Sequence, residues 1–218
     1  MSLYGRILPI QAITKDQDLL SVLISSLPFG QNEQHRLLNI HNETALRESL
    51  AAWLALWDLA QILSIPLPQG ILRTPEGKPY FESPALPAFS LSHTDSFAVA
   101  VVSTEGNVGV DVEGLSRSSS FKRIAERYFS ESEKALLEAS NTPCELFLKI
   151  WTQKEAKAKM TGKGLASIIG KSATALEGAI QSRKIQRANT VAYLSIATTQ
   201  PTDPIKWVNL QKEITVIS

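Results

Sequence analysis

The segment Val108-Gly109-Val110-Asp111-Val112-Glu113 restricts the folds open to this 218-residue chain more than any other stretch. Side chains on a strand alternate between its two faces. Val108, Val110 and Val112 therefore share one face, and Gly109, Asp111 and Glu113 share the other. The valine face belongs in a core. The opposite face carries two carboxylates that converge on one point. A third carboxylate comes from Trp151-Thr152-Gln153-Lys154-Glu155-Ala156-Lys157-Ala158-Lys159, which reads as a helix. Residues four apart stack on one helix face, so Trp151, Glu155 and Lys159 form a stripe. Three carboxylates and a lysine gathered together are costly to bury without a cation. The combination points to a divalent metal and a phosphorylated ligand. Hard oxygen donors suit magnesium, which keeps several waters and borrows phosphate oxygens. Manganese fits the same donors. Each segment alone also fits a plainer account. The first could be an exposed acidic strand end, and the second a surface Glu-Lys pair with Lys154 and Lys157 as solvated charges.

The rest of the chain reads as helices and strands in separate blocks. Residues 1–13 are strand-like, and a helix follows near Asp16–Leu27, closed by Pro28 and Gly30. A stronger helix runs over roughly Glu43–Leu63, with Leu46, Leu50, Trp53, Leu54, Trp57 and Ala60 at helical spacing and Arg47, Glu48 and Asp58 on its polar side. The proline-rich stretch Pro66–Pro87 is irregular or edge strand. Strands are expected at Phe89–Ser92 and Phe97–Val102, around a tight His93–Ser96 connection. After the serine-rich loop Gly114–Ser120, helices are expected at Phe121–Tyr128, from a capping box at Ser130–Glu133, and from Thr142-Pro143-Cys144-Glu145 to about Met160. The last of these should stop at Gly162 or Gly164. The tail reads as strands near Thr190–Ala197, Lys206–Leu210 and Glu213–Ile217. Segregated elements of this kind indicate an α+β fold.

A formal net charge of +1 gives no global field for nucleic acid or an anionic membrane, so an anion site has to be local. The single cysteine, Cys144, excludes a disulfide framework and a cysteine zinc cluster. It fits a reducing cytosol. Met1–Arg6 lacks the apolar core of a signal peptide, and the apolar run near Ala51–Leu67 is too interrupted to span a membrane. A cytoplasmic protein is expected. With His35 and His41 far from His93 in sequence, a histidine metal site is disfavoured. Ser92-His93 has no nucleophile-elbow context. A hydrogen bond from His93 to a phosphate is the more economical use, with Arg73 and Lys78 in a turn nearby.

In order along the chain stand Arg73-Thr74-x-x-Gly77-Lys78-Pro79, Phe89-Ser90-Leu91-Ser92-His93-Thr94 and Val108–Glu113. They are followed by Arg127-Tyr128-Phe129-Ser130-x-x-Glu133, Trp151-x-x-Lys154-Glu155-Ala156-x-x-Lys159 and Gly162-Lys163-Gly164-Leu165. Together these pieces resemble the 4′-phosphopantetheinyl transferase superfamily, in its longer, two-half type typified by the surfactin-synthetase activator. The resemblance implies two similar α+β halves, 1–105 and 106–218, related by a pseudo-twofold axis, with coenzyme A in the cleft between them. One chain of this length would make the cleft alone, as a monomer. The implied reaction moves the 4′-phosphopantetheine arm of coenzyme A to a serine of an apo acyl or peptidyl carrier protein, releasing adenosine 3′,5′-bisphosphate. By resemblance Asp111, Glu113 and Glu155 would ligate Mg2+, or Mn2+. Glu155 would help deprotonate the serine, and Lys159 would neutralise the phosphate and protonate it on departure. Ser92, His93, Arg73 and Lys78 would hold the anionic groups of coenzyme A.

Some members carry anchoring lysines in the early segment. Pro28–His35 contains none here, and Arg36 or Arg47 stand as substitutes. Arg117, Lys122 and Arg123 form a basic edge suited to the acidic helix of a carrier. Two other readings are a metal-dependent phosphoester hydrolase and a non-catalytic module that binds coenzyme A or a carrier.

Overall fold

The computed structural model describes residues 2–67, 70–115 and 121–217. Strand β1 (Leu3–Pro9) leads into α1 (Gln17–Ser26), α2 (Gln31–Leu38) and α3 (Glu43–Ile62). A short hairpin, β2 (Ile71–Arg73) and β3 (Pro79–Phe81), precedes β4 (Ala88–His93) and β5 (Phe97–Ser103). The second part repeats this plan: β6 (Val108–Gly114), then α4 (Phe121–Tyr128), α5 (Glu131–Glu138) and α6 (Pro143–Thr161), then β7 (Ala179–Arg187) and β8 (Thr190–Thr198). Two short strands end the chain, β9 (Lys206–Trp207) and β10 (Thr215–Ile217).

The strands form two four-stranded sheets, ordered β4-β5-β1-β9 and β10-β7-β8-β6. Sheets and helices are segregated, which makes the fold α+β as expected. The sheets face each other across a shared core. Leu3, Ile7, Phe97, Val99 and Val101 of one meet Val108, Val110, Val112, Leu194 and Ile196 of the other. The three valines read from the β6 alternation are all essentially buried there. On its far side the first sheet is covered by α3, whose Leu50, Trp53 and Leu56 pack with Phe29 and Phe89. The far side of the second sheet is covered by α6.

Local chemistry accounts for several helix ends. Asp16 caps α1 through bonds from the amides of Asp18 and Leu19, and Asn42 caps α3 through Ala45. Ser130 and Glu133 close the expected capping box. At Gly162 α6 stops in a left-handed turn, φ 69°, which glycine adopts without penalty.

Several expectations need correction. α2 forms where the sequence shows no helical stripe, because its buried face holds only Glu33 and Leu37. β7 likewise shows no alternating apolar pattern, since Ile185 is its one fully buried residue. Thr142 makes no side-chain cap, and Glu145 instead accepts a short hydrogen bond from the Tyr193 hydroxyl. The strand expected at Lys206–Leu210 shrinks to β9. It runs parallel to β1 and so joins the first sheet, with the Val208 amide bonded to the Gly5 carbonyl. Arg6 supports that crossing by reaching both Asp58 of α3 and the Asn209 carbonyl.

Candidate active site at the junction of the two sheets

The closest approach between α6 and β6 falls at Gly109. A Cβ there would lie 2.0 Å from the Ala156 carbonyl oxygen and 2.4 Å from the Met160 nitrogen. Only a residue without a side chain lets the helix backbone settle onto the strand in this way. The neighbours of these contact points then meet. Asp111 and Glu113 on β6 and Glu155 on α6 each offer an oxygen, all within 4.8 Å of one another. Asp111 and Glu113 are buried and Glu155 is partly buried.

Lys159, one helical turn after Glu155, donates to Asp111 Oδ1 at 2.7 Å and to Ser92 Oγ at 3.0 Å. Burial works to lower its ammonium. The charges of Asp111, Glu155 and Glu113 and the bond to Asp111 outweigh burial and hold it above its ordinary value. Asp111 Oδ2 is buried and has no hydrogen-bond partner among the described residues. A buried carboxylate oxygen with no donor is an unstable arrangement unless a cation completes it.

A cleft of about 290 Å³ opens beside this cluster. Gly77, Lys78 and Pro79 from the β2–β3 hairpin and Glu155, Lys159 and Leu165 from α6 and the turn after it line the cleft. Lys78 reaches across, donating to the carbonyls of Val108 and Met160. Burial pushes its ammonium down to about 8. Of the expected anion-holding residues, Lys78 and Lys159 line the cleft, whereas Arg73, Ser92 and His93 do not.

A model of the 4′-phosphopantetheinyl transferase superfamily matches residues 107–202, which include the whole acidic cluster. The chain is 33% identical to the 4′-phosphopantetheinyl transferase AcpT of Salmonella typhimurium over 154 residues, 70% of this chain and 77% of that protein. AcpT of Escherichia coli K12 is 31% identical over 166 residues, 72% and 82% of the two chains. The 4′-phosphopantetheinyl transferase gsp of Aneurinibacillus migulanus is 32% identical over 145 residues, 65% and 59%. The chain belongs to the 4′-phosphopantetheinyl transferase superfamily.

As a 4′-phosphopantetheinyl transferase it uses coenzyme A as a substrate and acts on carrier proteins. Among the described residues no helix is long and apolar enough to cross a membrane.

The transferase's other charged candidates do not line this cleft. Arg73 makes a two-pronged pair with Glu33 at 2.8 and 2.9 Å and also holds the Gly77 carbonyl. Arg36 binds the same Glu33. Arg47 donates to the carbonyls of Ile10, Ile13 and Thr14, so it ties α3 to the turn after β1 and is no substitute anchor. His93 Nδ1 stands 3.2 Å from Glu48. Lys122 and Arg123 lie on α4, and Arg117 falls outside the described residues.

Lys154 and Lys157 overturn the reading of solvated charges. Lys154 has no exposed side-chain surface and pairs with Glu133 at 3.0 Å, donating also to the Lys171 carbonyl. Lys157 donates to the carbonyls of Ala173 and Leu176. Burial lowers both ammonium groups, opposed at Lys154 by Glu133. Glu133 also accepts from the Ala173 amide. These bonds pin residues 171–176, beyond the segment that gives Leu165 to the cleft. The i,i+3 spacing of the two lysines was visible in the sequence. Its meaning depended on which face of α6 meets the sheet.

Proposed function

We propose that Asp111, Glu113 and Glu155 hold one divalent cation, magnesium or manganese, for transfer of the 4′-phosphopantetheine arm of coenzyme A to a serine of an apo carrier protein. The observation that carries this is the buried, unpartnered Asp111 Oδ2 within a three-carboxylate cluster, beside Lys159 and with Glu155 lining the cleft. The donor set fits a hard cation, since all three donors are carboxylates. When bound, the ion supplies positive charge to the pyrophosphate of coenzyme A.

The residues divide the remaining work. Lys78 from the hairpin and Lys159 from α6 face the pyrophosphate in the cleft. Glu155, the most exposed of the three carboxylates, accepts the proton of the incoming serine. The serine oxygen then bonds to the phosphorus bearing pantetheine, and the bond to the bridging oxygen breaks. The electron pair leaves on the 5′-phosphate of adenosine 3′,5′-bisphosphate. Lys159 meets that charge as a cation rather than as an acid, because its ammonium is held above its ordinary value. Arg73 and His93, both partly exposed, are assigned to the 3′-phosphate, with Glu33 and Glu48 fixing their positions.

One chain supplies both the hairpin and the helix that line the cleft, so the monomer is read as the functional unit. The common order of strand, three helices and antiparallel strand pair supports two related halves, 1–105 and 106–218. Incubation with coenzyme A, magnesium and apo carriers, followed by mass spectrometry, tests the function. A carrier gaining one phosphopantetheine is the expected result. Release of the bisphosphate with no carrier modified would overturn the transfer. Asp111→Ala and Glu155→Ala should each abolish transfer with the melting curve retained, and near-normal rates in either would remove the metal assignment.

A further inference from the structure

β4 and β6 are edge strands of different sheets, yet they lie side by side. On one side β6 pairs with β8. The amides of Val110 and Val112 point the other way and find Ser90 Oγ at 3.0 Å and Ser92 Oγ at 3.3 Å. Two serines two residues apart thus satisfy two amides two residues apart, and the sheets are stitched by side chains instead of a backbone ladder. Among the described residues the Ser90 hydroxyl makes no other hydrogen bond. Ser92 has two more, to Asp111 Oδ1 at 3.0 Å and from Lys159 Nζ at 3.0 Å.

A hydroxyl has one proton to give and two lone pairs to offer. The Val112 amide and the Lys159 ammonium are donors only, so they take both lone pairs. The carboxylate of Asp111 can only accept, so the one proton points at Oδ1. Ser92 is buried and its capacity is exhausted. A phosphate oxygen would need that same proton.

We propose that Ser92 is a positioning residue for the cation site rather than a phosphate ligand. With Lys159 it anchors Asp111 Oδ1, and Oδ2, which has no hydrogen-bond partner among the described residues, is left to the three-carboxylate cluster. A carboxylate torsion is broad and roughly two-fold. Without the Ser92 proton, Asp111 is free to rotate and to spend Oδ2 on Lys159. The inference rests on the metal reading above and adds the residue that sets which oxygen is presented.

The test uses the full chain with coenzyme A present and no carrier, so that no turnover occurs, and reads free Mn2+ by electron paramagnetic resonance. Ser92→Ala should raise the Mn2+ dissociation constant by about 10- to 100-fold, the usual effect of losing a hydrogen bond to a metal ligand. Ser92→Thr, which keeps the hydroxyl, should recover most of it. Ser90→Ala removes the comparable strand tie and should lower the melting temperature while leaving Mn2+ binding in place. In transfer assays Ser92→Ala should lose the same factor with coenzyme A and with 3′-dephospho-coenzyme A. Unchanged Mn2+ binding, with a loss confined to the donor that carries the 3′-phosphate, would overturn the proposal and return Ser92 to phosphate binding. A wild-type chain that binds no Mn2+ would overturn the metal reading and this inference together. If Ser92→Ala does not fold, Ser92→Cys keeps the volume with only a weak donor and is read in the same way.

Discussion

Replacing Gly109 with alanine should disable the site, although Gly109 shares the carboxylate face of β6 and offers no ligand atom itself. The new Cβ would stand 2.0 Å from the Ala156 carbonyl oxygen, where ordinary contact begins at 3.4 Å. The obstacle is helix backbone, so no rotamer change relieves it. The two elements must part by about 1.4 Å, or the helix must tilt. Overpacking of this kind costs roughly 1–3 kcal/mol. Glu155 immediately precedes Ala156, so the same retreat carries its carboxylate away from Asp111 and Glu113. A misplacement of 1 Å is worth about 100-fold in rate. Urea unfolding and carrier modification at saturating magnesium measure the two effects. Gly5→Ala is the control. Its Cβ would strike the Trp207 ring at 2.5 Å, a residue packed on the inter-sheet core and not on α6, so it should lower stability and spare the transfer rate. A Gly109→Ala chain within threefold of wild type, with an unchanged urea midpoint, would refute the idea that this contact sets the site. So would an equal loss of rate in Gly5→Ala.

Lys154→Met leaves Glu133 buried without its cation, and should cost about 3–5 kcal/mol in urea unfolding. Adding Glu133→Gln should return much of that loss, and a Lys154→Met chain as stable as wild type would show the pair to be idle. Burial places Lys78 at about 8, below its unfolded value of 10.5. Between those values the unfolded chain binds more protons, so stability from this group rises with pH. The charge it offers an anion falls over the same window. The dissociation constant for coenzyme A, followed by calorimetry, should therefore climb above about pH 8, and Lys78→Arg should flatten that rise. Lys159 is shifted the other way. Its stabilising charge is fully present below the ordinary lysine value and is lost only at higher pH, so it should add no transition to the transfer rate near neutrality.

The acidic half of the site was legible because its elements have strict periods. Alternation on β6 separated valines from carboxylates, and the i,i+4 step put Glu155 and Lys159 on one face. Where burial is polar, periodicity fails. α2 buries a glutamate, held by Arg36 and Arg73, and so has no apolar stripe to read. β7 is mostly half-buried and carries Arg183, Lys184 and Arg187. Long-range partners were also beyond local reading. Glu145 sits where a capping box would use it, but Tyr193 from β8 competes successfully, and its hydroxyl is pushed above its ordinary value by burial and by that bond. The pairing of β9 with β1 joins residues about two hundred positions apart, and no local pattern encodes that.

Helix α6 shows why the charge pattern needed one geometric fact to become readable. Successive residues turn by about 100°. With Ala156 and Met160 against Gly109, positions 155 and 159 must face the cleft, while 154 and 157 must face residues 171–176. A rotation of one residue in one sense would bring Lys154 to the carboxylates and press Glu155 against Gly109, and in the other sense would push Glu155 to the Lys171 carbonyl that now accepts from Lys154. Both exchanges are unfavourable, since a carboxylate has no proton for a carbonyl. Each buried lysine therefore opposes the wrong rotation of the helix. A buried ion pair adds little net stability compared with apolar residues of the same volume. Its contribution here lies in the register of the helix. Gly109 fixes how near α6 comes to the acidic strand, and Lys154 with Glu133 fixes which of its faces arrives there.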